Sequence, residues 1–350
     1  MSMSRRAFAA ATLASALVLA GCGSAADDTA KTAVTSTWTA PAGLSGELTL
    51  YSANPQELTD DLVAAFTKAS GVKVNVFAGE TGKITAKLDA EWANPQADIA
   101  YLASWTPAAK YAADGRTLLY RPAGSDQIRA GWAGKDDAFV GRDGSALTLV
   151  VNTKATTARP QDWADLAGPD YKGKVIMPDP RESGTARDLI AAMVAAWGKD
   201  KTWELFDKLF ANGMVVHGAN GPALDDVTAG SHAVILGGVD YSAYDAIAKG
   251  EPLQVISPFS GTTITPRPVF VLKTAKNPAA AKAFLDFMFA QQGQQISAAH
   301  QMIPARPEVS VADGTRKYED VKQLSFTWDQ VKSSGSDVLA EFTKRYLGAA

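Results

Sequence analysis

The chain has 350 residues, of which 46% are hydrophobic and 20% charged, and its formal net charge is −3. Because basic residues are not in excess, no nucleic-acid partner is expected. This length and composition suit two globular domains whose cores need neither metals nor disulfides. Because Cys22 is the single cysteine of this sequence, we expect no disulfide within it.

The N-terminal segment has the composition of a targeting signal. Arg5 and Arg6 precede an apolar run, residues 7–20, that is shorter than the roughly 20 apolar residues of a membrane-spanning helix. The run ends in Leu-Ala-Gly-Cys at Cys22, the sequence at which bacterial lipoprotein precursors are cleaved and lipidated. We therefore expect residues 1–22 to be a lipoprotein signal peptide and lipidated Cys22 to hold the protein in the cell envelope, at the outer face of the cytoplasmic membrane or in the periplasm. An ordinary secretory signal is the alternative, and the arginine pair leaves Sec and twin-arginine export both open.

Beyond Cys22, residues 23–45 are rich in Ala, Thr, Ser and Asp, which predicts a flexible tether. The chain then alternates between short apolar runs and stretches with apolar residues at helical spacing. Asn54 and Pro55 mark the first helix start, with Asn54 as its cap and Pro55 in its first turn. The runs predicted as strands are 47–51, 72–77 and 98–102. This alternation predicts parallel strands, right-handed crossovers and an α/β fold.

The same alternation restarts after a strongly apolar run at residues 147–152. Apolar crossings near residues 150 and 262 predict two doubly wound lobes joined by a two-strand hinge. The first lobe would comprise residues 46–148 and 263–350, with the C-terminal helices, and the second lobe residues 149–262. Ligands of such folds bind at the carboxyl ends of the strands, so the cleft between the lobes is the expected site.

Two short segments are candidates for ligand binding. Ser183, Gly184 and Thr185 follow a predicted strand and open a helix, where first-turn N–H groups, hydroxyls and the helix dipole can receive a phosphate-like or carboxylate anion. A serine N-cap with no ligand explains the same residues equally well. Asp240 and Tyr241 open a later helix. A carboxylate beside a phenol binds an ammonium group or a metal ion, and the alternative is again a simple N-cap at Asp240.

The glycine-rich loop after residue 77 does not match a phosphate loop, because Phe77 and Ile84 stand where that motif needs glycine and Ser/Thr. We expect this loop to face the ligand through Thr81 and Gly82 instead. The three histidines lack metal-ligand spacing, and no nucleophile motif is present in the sequence. The sequence therefore favours a binding protein over an enzyme, with no cofactor and no resident metal. A secreted hydrolase on the same scaffold is the least favoured alternative.

Several segments match a known family in combination. They are Leu48 to Ala53, Asn94 to Asp98, Pro180 to Thr185, Asn220 with its following helix, Thr265 to Pro268 and Lys276 to Pro278. Together they resemble the substrate-binding lipoproteins of ABC importers, in the branch that holds ferric-ion, 2-aminoethylphosphonate, thiamine and sugar-phosphate binders. The resemblance covers roughly residues 46 to 310. It implies a two-lobed type II periplasmic-binding-protein fold and a monomer that delivers a small solute to an ABC permease and its ATPase.

The resemblance also implies the composition of the site. Segment 183–185 would hold the anionic part of the ligand, with Asn220 nearby. Apart from Arg181 and Arg187, the matched positions hold no arginine cluster, so a phosphorylated metabolite fits less well. The walls of the cleft would be completed by Ser52, Thr81, Gly82, Ser104 and Tyr241.

The identity of the ligand depends on one position. Ferric binders that the chain resembles hold iron with two adjacent tyrosines, often with a histidine and a glutamate, but the matching place here reads Asp240-Tyr241 and the matching first-lobe stretches have no histidine. The resemblance therefore favours a zwitterion, above all 2-aminoethylphosphonate, with its phosphonate on the helix N-terminus and its ammonium at Asp240. Ferric ion with a synergistic anion, held by Tyr241 and Asp240, is the alternative.

Overall fold

The computed structural model describes residues 38–348. The predicted signal peptide and the lipidation site at Cys22 lie outside the described residues, so both stay predictions. No helix in the described part of the chain is long and apolar enough to cross a bilayer.

Trp38 already packs on the fold. Its ring lies 5.7 Å from that of Phe66 and 5.5 Å from that of Phe287, measured between ring centroids. Its backbone N–H donates to Gln292 Oε1 at 2.7 Å. The tether predicted for residues 23–45 is therefore too long at its C-terminal end, because an aromatic anchor fixes the chain seven residues earlier than its predicted limit.

The strands confirm the predicted α/β alternation. Their bounds are β1 (Glu47–Ser52), β2 (Lys73–Ala78), β3 (Ile99–Tyr101), β4 (Val140–Asn152), β5 (Val175–Met177), β6 (Val215–Val216), β7 (Val234–Val239), β8 (Leu253–Ile256), β9 (Ile264–Val271) and β10 (Ile303–Pro304). In the described residues they form one sheet in the order β2-β1-β3-β9-β4-β7-β5-β6, with β8 and β10 pairing on β4. β1 runs parallel to β2 and β3, and β5 runs parallel to β6 and β7.

The helices complete the α/β units. Their bounds are α1 (Gln56–Ser70), α2 (Thr81–Ala90), α3 (Trp105–Ala113), α4 (Gly184–Trp197), α5 (Lys199–Ala211), α6 (Asn220–Thr228), α7 (Asp240–Ala248), α8 (Pro278–Phe289), α9 (Gln291–Ala299) and α10 (Trp328–Phe342). α1 begins at Gln56 with no side-chain cap, so the predicted capping role of Asn54 is wrong. The Asn54 amide instead donates to the Tyr101 carbonyl at the end of β3.

β4 joins two halves of the sheet. Its first part, Val140 to Ala146, pairs antiparallel with β9, and its second part, Leu147 to Asn152, pairs antiparallel with β7 and β8. All 13 of its residues are buried, which is typical of a central strand covered on both faces. β4 and β9 are the two strands that the predicted hinge requires, whereas the lobe boundaries stay predictions.

Buried charges on β4 form a hydrogen-bonded network behind the site, in which Arg142 Nε alone lacks an acceptor among the described residues. Arg142 donates to Asp143 Oδ2 at 2.6 Å and to the Gly293 carbonyl at 2.5 Å. The Tyr101 and Ser297 hydroxyls each donate to Asp143 at 2.7 Å. Because a buried charge is costly unless it is paired and hydrogen-bonded, this network ties β4 firmly to β3 and α9.

The C-terminal helix packs on both sides of the predicted division of the chain. We expected residues 263–350 in the first lobe, but α10 and the turn after it pack on α4 and α5. The Phe342 ring meets Phe206 edge-on at 5.3 Å, and the Tyr346 ring stacks on Phe210 at 4.3 Å. α10 also packs on α3, where the Trp328 ring lies 5.4 Å from that of Trp105. The C-terminal helix therefore contacts segments assigned to both predicted lobes, and its assignment to the first lobe alone stays a prediction.

Candidate ligand-binding site

A cavity of about 290 Å³ opens where the carboxyl ends of parallel strands in both halves of the sheet meet. This is the place where α/β sheets bind ligands. Its volume is at the lower limit of ordinary ligand pockets, so it suits a small solute. The residues that line it are Ala53, Asn54, Pro55, Gln56, Gly79, Glu80, Thr81, Ala103, Gly184, Asn220, Gly221, Tyr241, Ser242 and Arg267.

Helix N-termini are concentrated at this cavity. α1, α2, α4, α6 and α7 each begin at or next to one of its lining residues. The first-turn N–H groups of a helix have no intrahelical acceptor, and the helix dipole gives that end a partial positive charge. The backbone alone therefore makes the cavity favourable for an anion.

The structure brings the predicted anion-binding residues together. The Ser183 hydroxyl accepts from the Ala186 N–H at 3.2 Å, as an N-cap does, and donates to Asn220 Oδ1 at 3.0 Å. Asn220 Nδ2 in turn donates to Thr185 Oγ1 at 3.1 Å. Ser183 and Thr185 are buried, while Gly184 and Asn220 line the cavity. Ser183 thus fills the capping role and also orients Asn220, while anion binding by this segment stays a prediction.

Arg267 on β9 is the main polar group that sequence reasoning missed. Its side chain is only 1% exposed, yet it lines the cavity. Nη2 donates to the Tyr241 hydroxyl at 3.1 Å, Nη1 meets only the Met302 sulfur at 3.4 Å, and Nε has no acceptor. An arginine stays charged in proteins, so a buried cation with unused donors faces the cavity. Its flanking prolines and its position inside an apolar strand gave no signal of this role.

Acceptor groups face the same cavity. Asn54 Nδ2 donates to the Tyr101 carbonyl at 2.8 Å, and this bond leaves Asn54 Oδ1 buried with no partner. The Thr81 hydroxyl is buried and also unpartnered. Glu80 at the rim has an exposed side chain, but the walls of the cleft desolvate it enough to raise the pKa of its carboxyl, and this burial outweighs the opposing field of Arg267.

Asp240 is not where the predicted ammonium contact requires it. Its carboxylate is completely buried and forms an ion pair with Arg316. It also accepts from the backbone N–H groups of Ala146 at 3.1 Å and Tyr241 at 2.8 Å. Burial raises the pKa of Asp240, with Arg316 acting in the opposite direction. Asp240 is therefore a structural charge that positions the start of α7, while the neighbouring Tyr241 reaches the cavity.

Two predicted wall residues have structural partners instead. Ser52 is completely buried and shares a hydrogen bond of 3.0 Å with Thr59. The Ser104 hydroxyl donates to Asp188 at 2.8 Å, and the Trp105 N–H donates to the same carboxylate at 2.8 Å. Neither serine is among the lining residues.

The two sides of the cleft touch each other. The Gly82 N–H donates to the Glu182 carbonyl at 3.3 Å. A Cβ on Gly82 would lie 2.5 Å from the Arg181 carbonyl oxygen, and a Cβ on Gly184 would lie 2.7 Å from Ser104 Cβ. Segments assigned to the two predicted lobes therefore approach at glycines, because any side chain there would hold them apart.

Comparison with known proteins assigns the chain to a protein family. A family model for bacterial extracellular solute-binding proteins matches residues 109–334, which is more than half of the sequence. The chain belongs to this family. A Salmonella typhi periplasmic protein named for a proposed 2-aminoethylphosphonate ligand is 23% identical to this solute-binding protein over 302 residues, 80% of this chain and 85% of the relative. The iron uptake protein A1 of Synechocystis is 25% identical over 272 residues, 71% of this chain and 72% of the relative.

The solved structure of the periplasmic binding protein AfuA from Actinobacillus pleuropneumoniae, with fructose-6-phosphate bound, confirms the fold. It superposes with a TM-score of 0.80 at 23% identity and covers 87% of this chain and 99% of AfuA. The fold is thus that of the type II periplasmic binding proteins, as predicted. This chain is a periplasmic solute-binding protein of the ABC-importer kind, and its family and structural relatives are binding proteins rather than enzymes.

The glycine contact gives the first prediction for this solute-binding protein. Gly82→Ala should weaken solute binding about tenfold, because overpacking a tight contact typically costs about 1–3 kcal/mol and here it opposes closure. Isothermal titration calorimetry measures the affinity, and the far-UV circular dichroism spectrum checks that the variant is folded. Unchanged affinity would show that these walls do not touch in the liganded state.

Proposed function

We propose that the cavity captures a small phosphonate-bearing solute, with 2-aminoethylphosphonate as the first candidate. The observation that carries this proposal is Arg267, a buried guanidinium with unused donors at the edge of the cavity. Asn220 and the start of α4 provide further donors on the same cavity. A guanidinium with its parallel N–H groups suits the oxygens of a phosphonate, and helix N-termini add a matching field.

The ferric alternative has less support from the same residues. Of the pair expected to hold iron, Asp240 is committed to Arg316, and the Tyr241 oxygen accepts a bond from the Arg267 guanidinium. A fixed cation against that oxygen opposes a trivalent metal ion by charge repulsion. Within residues 38–348, no group of three or more His, Cys, Asp or Glu side chains is arranged to hold a metal ion.

A hydrolase would need a nucleophile with a base in reach. Among the described residues, those that line the cavity include one carboxylate, Glu80, and neither histidine nor cysteine. Tyr241 and Ser242 are its hydroxyl groups near α7, and the hydrogen bond of Tyr241 is to a cation, not to a base. Binding without catalysis is the function that this set of groups supports.

The cellular setting is part of the proposal. Lipidation at Cys22 would keep the mature protein, acting as a monomer, beside its ABC permease and ATPase. The lipid raises the local concentration of binding protein at the transporter without any new protein contact. Two acyl signals are needed for stable anchoring, since each buried methylene contributes only about 0.8 kcal/mol.

Calorimetric titration with 2-aminoethylphosphonate, inorganic phosphate and ferric citrate tests the proposal. We expect saturable one-to-one binding of 2-aminoethylphosphonate and weaker binding of phosphate. Saturable ferric binding without phosphonate binding would overturn it, and a visible iron–tyrosinate absorption band that disappears in Tyr241→Phe would then establish the ferric alternative.

A further inference from the structure

We propose that Asn54 and Glu80 bind a cationic end of the solute, so that the cavity selects zwitterions over simple anions. This inference rests on the proposed function and identifies the residues that set its specificity. It moves the recognition of the ammonium from Asp240, which the ion pair with Arg316 occupies, to lining residues that follow β1 and β2.

Asn54 presents an oriented acceptor. Its Nδ2 donates to the Tyr101 carbonyl at 2.8 Å, and its backbone N–H is near the Ser52 hydroxyl at 3.3 Å. The backbone bond holds the turn between β1 and α1, and the side-chain bond orients the amide, so Oδ1 cannot exchange places with the amide nitrogen without losing the bond to Tyr101. Oδ1 is left buried, without a partner, on a residue that lines the cavity. A buried acceptor of this kind is costly unless a donor arrives, and an ammonium group is such a donor.

Glu80 supplies the charge. It follows β2 and lies at the start of α2, on the same cavity as Asn54 and Arg267. Among the ion pairs of the described residues, none joins Glu80 to Arg267. The two opposite charges therefore line one cavity without direct contact, although the field of Arg267 reaches the Glu80 carboxyl. A ligand with a negative and a positive end satisfies both groups at once, whereas a simple anion satisfies only Arg267.

The arrangement also discriminates against close analogues. Ethylphosphonate has the same anionic group as 2-aminoethylphosphonate but no ammonium. When it binds, Asn54 Oδ1 stays buried without a donor and the Glu80 carboxylate gains no positive partner in the cavity. An unmatched buried acceptor and an unmatched charge both disfavour a ligand. We expect the wild-type protein to prefer 2-aminoethylphosphonate by at least about tenfold.

Titration of both phosphonates into the wild-type protein and Glu80→Gln tests this inference. Gln is nearly isosteric and the position is exposed, so the variant should fold. We expect Glu80→Gln to weaken 2-aminoethylphosphonate binding about tenfold and to change ethylphosphonate binding by less than about twofold. Glu251→Gln is the matched control, since this glutamate is exposed and outside the lining, and it should leave both affinities unchanged.

Two results separate the possible failures. If the wild-type protein binds both phosphonates equally, or if Glu80→Gln keeps the full preference for 2-aminoethylphosphonate, this inference is wrong while the proposed function stands. If neither phosphonate binds the wild-type protein, the proposed function fails and the inference fails with it.

Discussion

Arg267→Met is expected to weaken phosphonate binding about 100-fold. The substitution removes the one guanidinium that the described residues contribute to the lining of the cavity, and with it the two charge-assisted hydrogen bonds proposed for the ligand. Such bonds contribute about 1.5 kcal/mol each at the lower end of their range, and about 1.4 kcal/mol corresponds to a factor of ten in affinity. Calorimetry or competition binding measures the change.

The same substitution should not lower the free energy of unfolding of the unliganded protein. Arg267 is buried with an unused Nε and a thioether as the partner of Nη1. Replacing an imperfectly paired buried charge with an apolar side chain is often neutral or stabilising. Arg181→Met is the control, because that guanidinium is 45% exposed and pairs with Asp179, so its loss should leave binding within about twofold of wild type. If Arg267→Met bound the phosphonate with the affinity of the wild-type protein, Arg267 would not be a ligand-binding residue.

Asp188 is expected to make the contact across the cleft dependent on pH. Its carboxylate is completely buried and accepts from Ser104 Oγ, the Trp105 N–H and Thr106 Oγ1, at 2.8, 2.8 and 3.3 Å. It thereby joins α4 to the start of α3, in segments assigned to the two predicted lobes. Desolvation by burial raises its pKa to about 6, although the three donors and Arg187 act in the opposite direction.

The sign of the effect follows from proton linkage. A carboxyl whose pKa is raised in the folded protein binds more protons there than in the unfolded chain, so its contribution to stability is present at low pH and is lost as the pH rises through about 6. Between pH 7 and pH 5, the unliganded wild-type protein should gain on the order of 1 kcal/mol relative to Asp188→Asn, which cannot titrate. Chemical unfolding at both pH values measures the difference.

A control separates this carboxyl from the general effect of acid. Asp60→Asn, at an exposed position on α1, should follow the wild-type protein at both pH values. The Asp188→Asn variant should also bind solute more weakly at pH 7. Ser104 Oγ and the Trp105 N–H donate to different oxygens of the carboxylate, and an amide places an NH2 donor where one of those oxygens stands. A parallel pH response of wild type and Asp188→Asn would mean that this carboxyl does not titrate in the predicted range.

The sequence was sufficient for the fold because the fold depends on local patterns. Apolar runs alternating with helical stripes predicted β1 to β3 and the parallel pairing, and the apolar run at 147–152 is the second part of β4. The helix start at Ser183 to Thr185 could also be predicted, since a strand followed by a serine cap is a local signal.

The hydrogen bonds and ion pairs between polar side chains could not be predicted from the sequence, because the paired residues are distant in the chain. Nothing near Asp240 indicates that Arg316 will neutralise it, and nothing near Ser104 indicates that Asp188 will accept its hydrogen. Asn54 has the sequence context of a helix cap, yet its amide bonds to the Tyr101 carbonyl on a neighbouring strand. These roles emerge only when the sheet brings the strand ends together, and they decide which polar groups stay free for a ligand.

A crystal structure of the protein with 2-aminoethylphosphonate would show the position of both ends of the ligand. We expect the phosphonate within hydrogen-bond distance of Arg267, Asn220 and the start of α4, and the ammonium beside Asn54 Oδ1 and Glu80. A ligand with its phosphonate away from Arg267, or a ferric ion held by Tyr241 in that cavity, would contradict it.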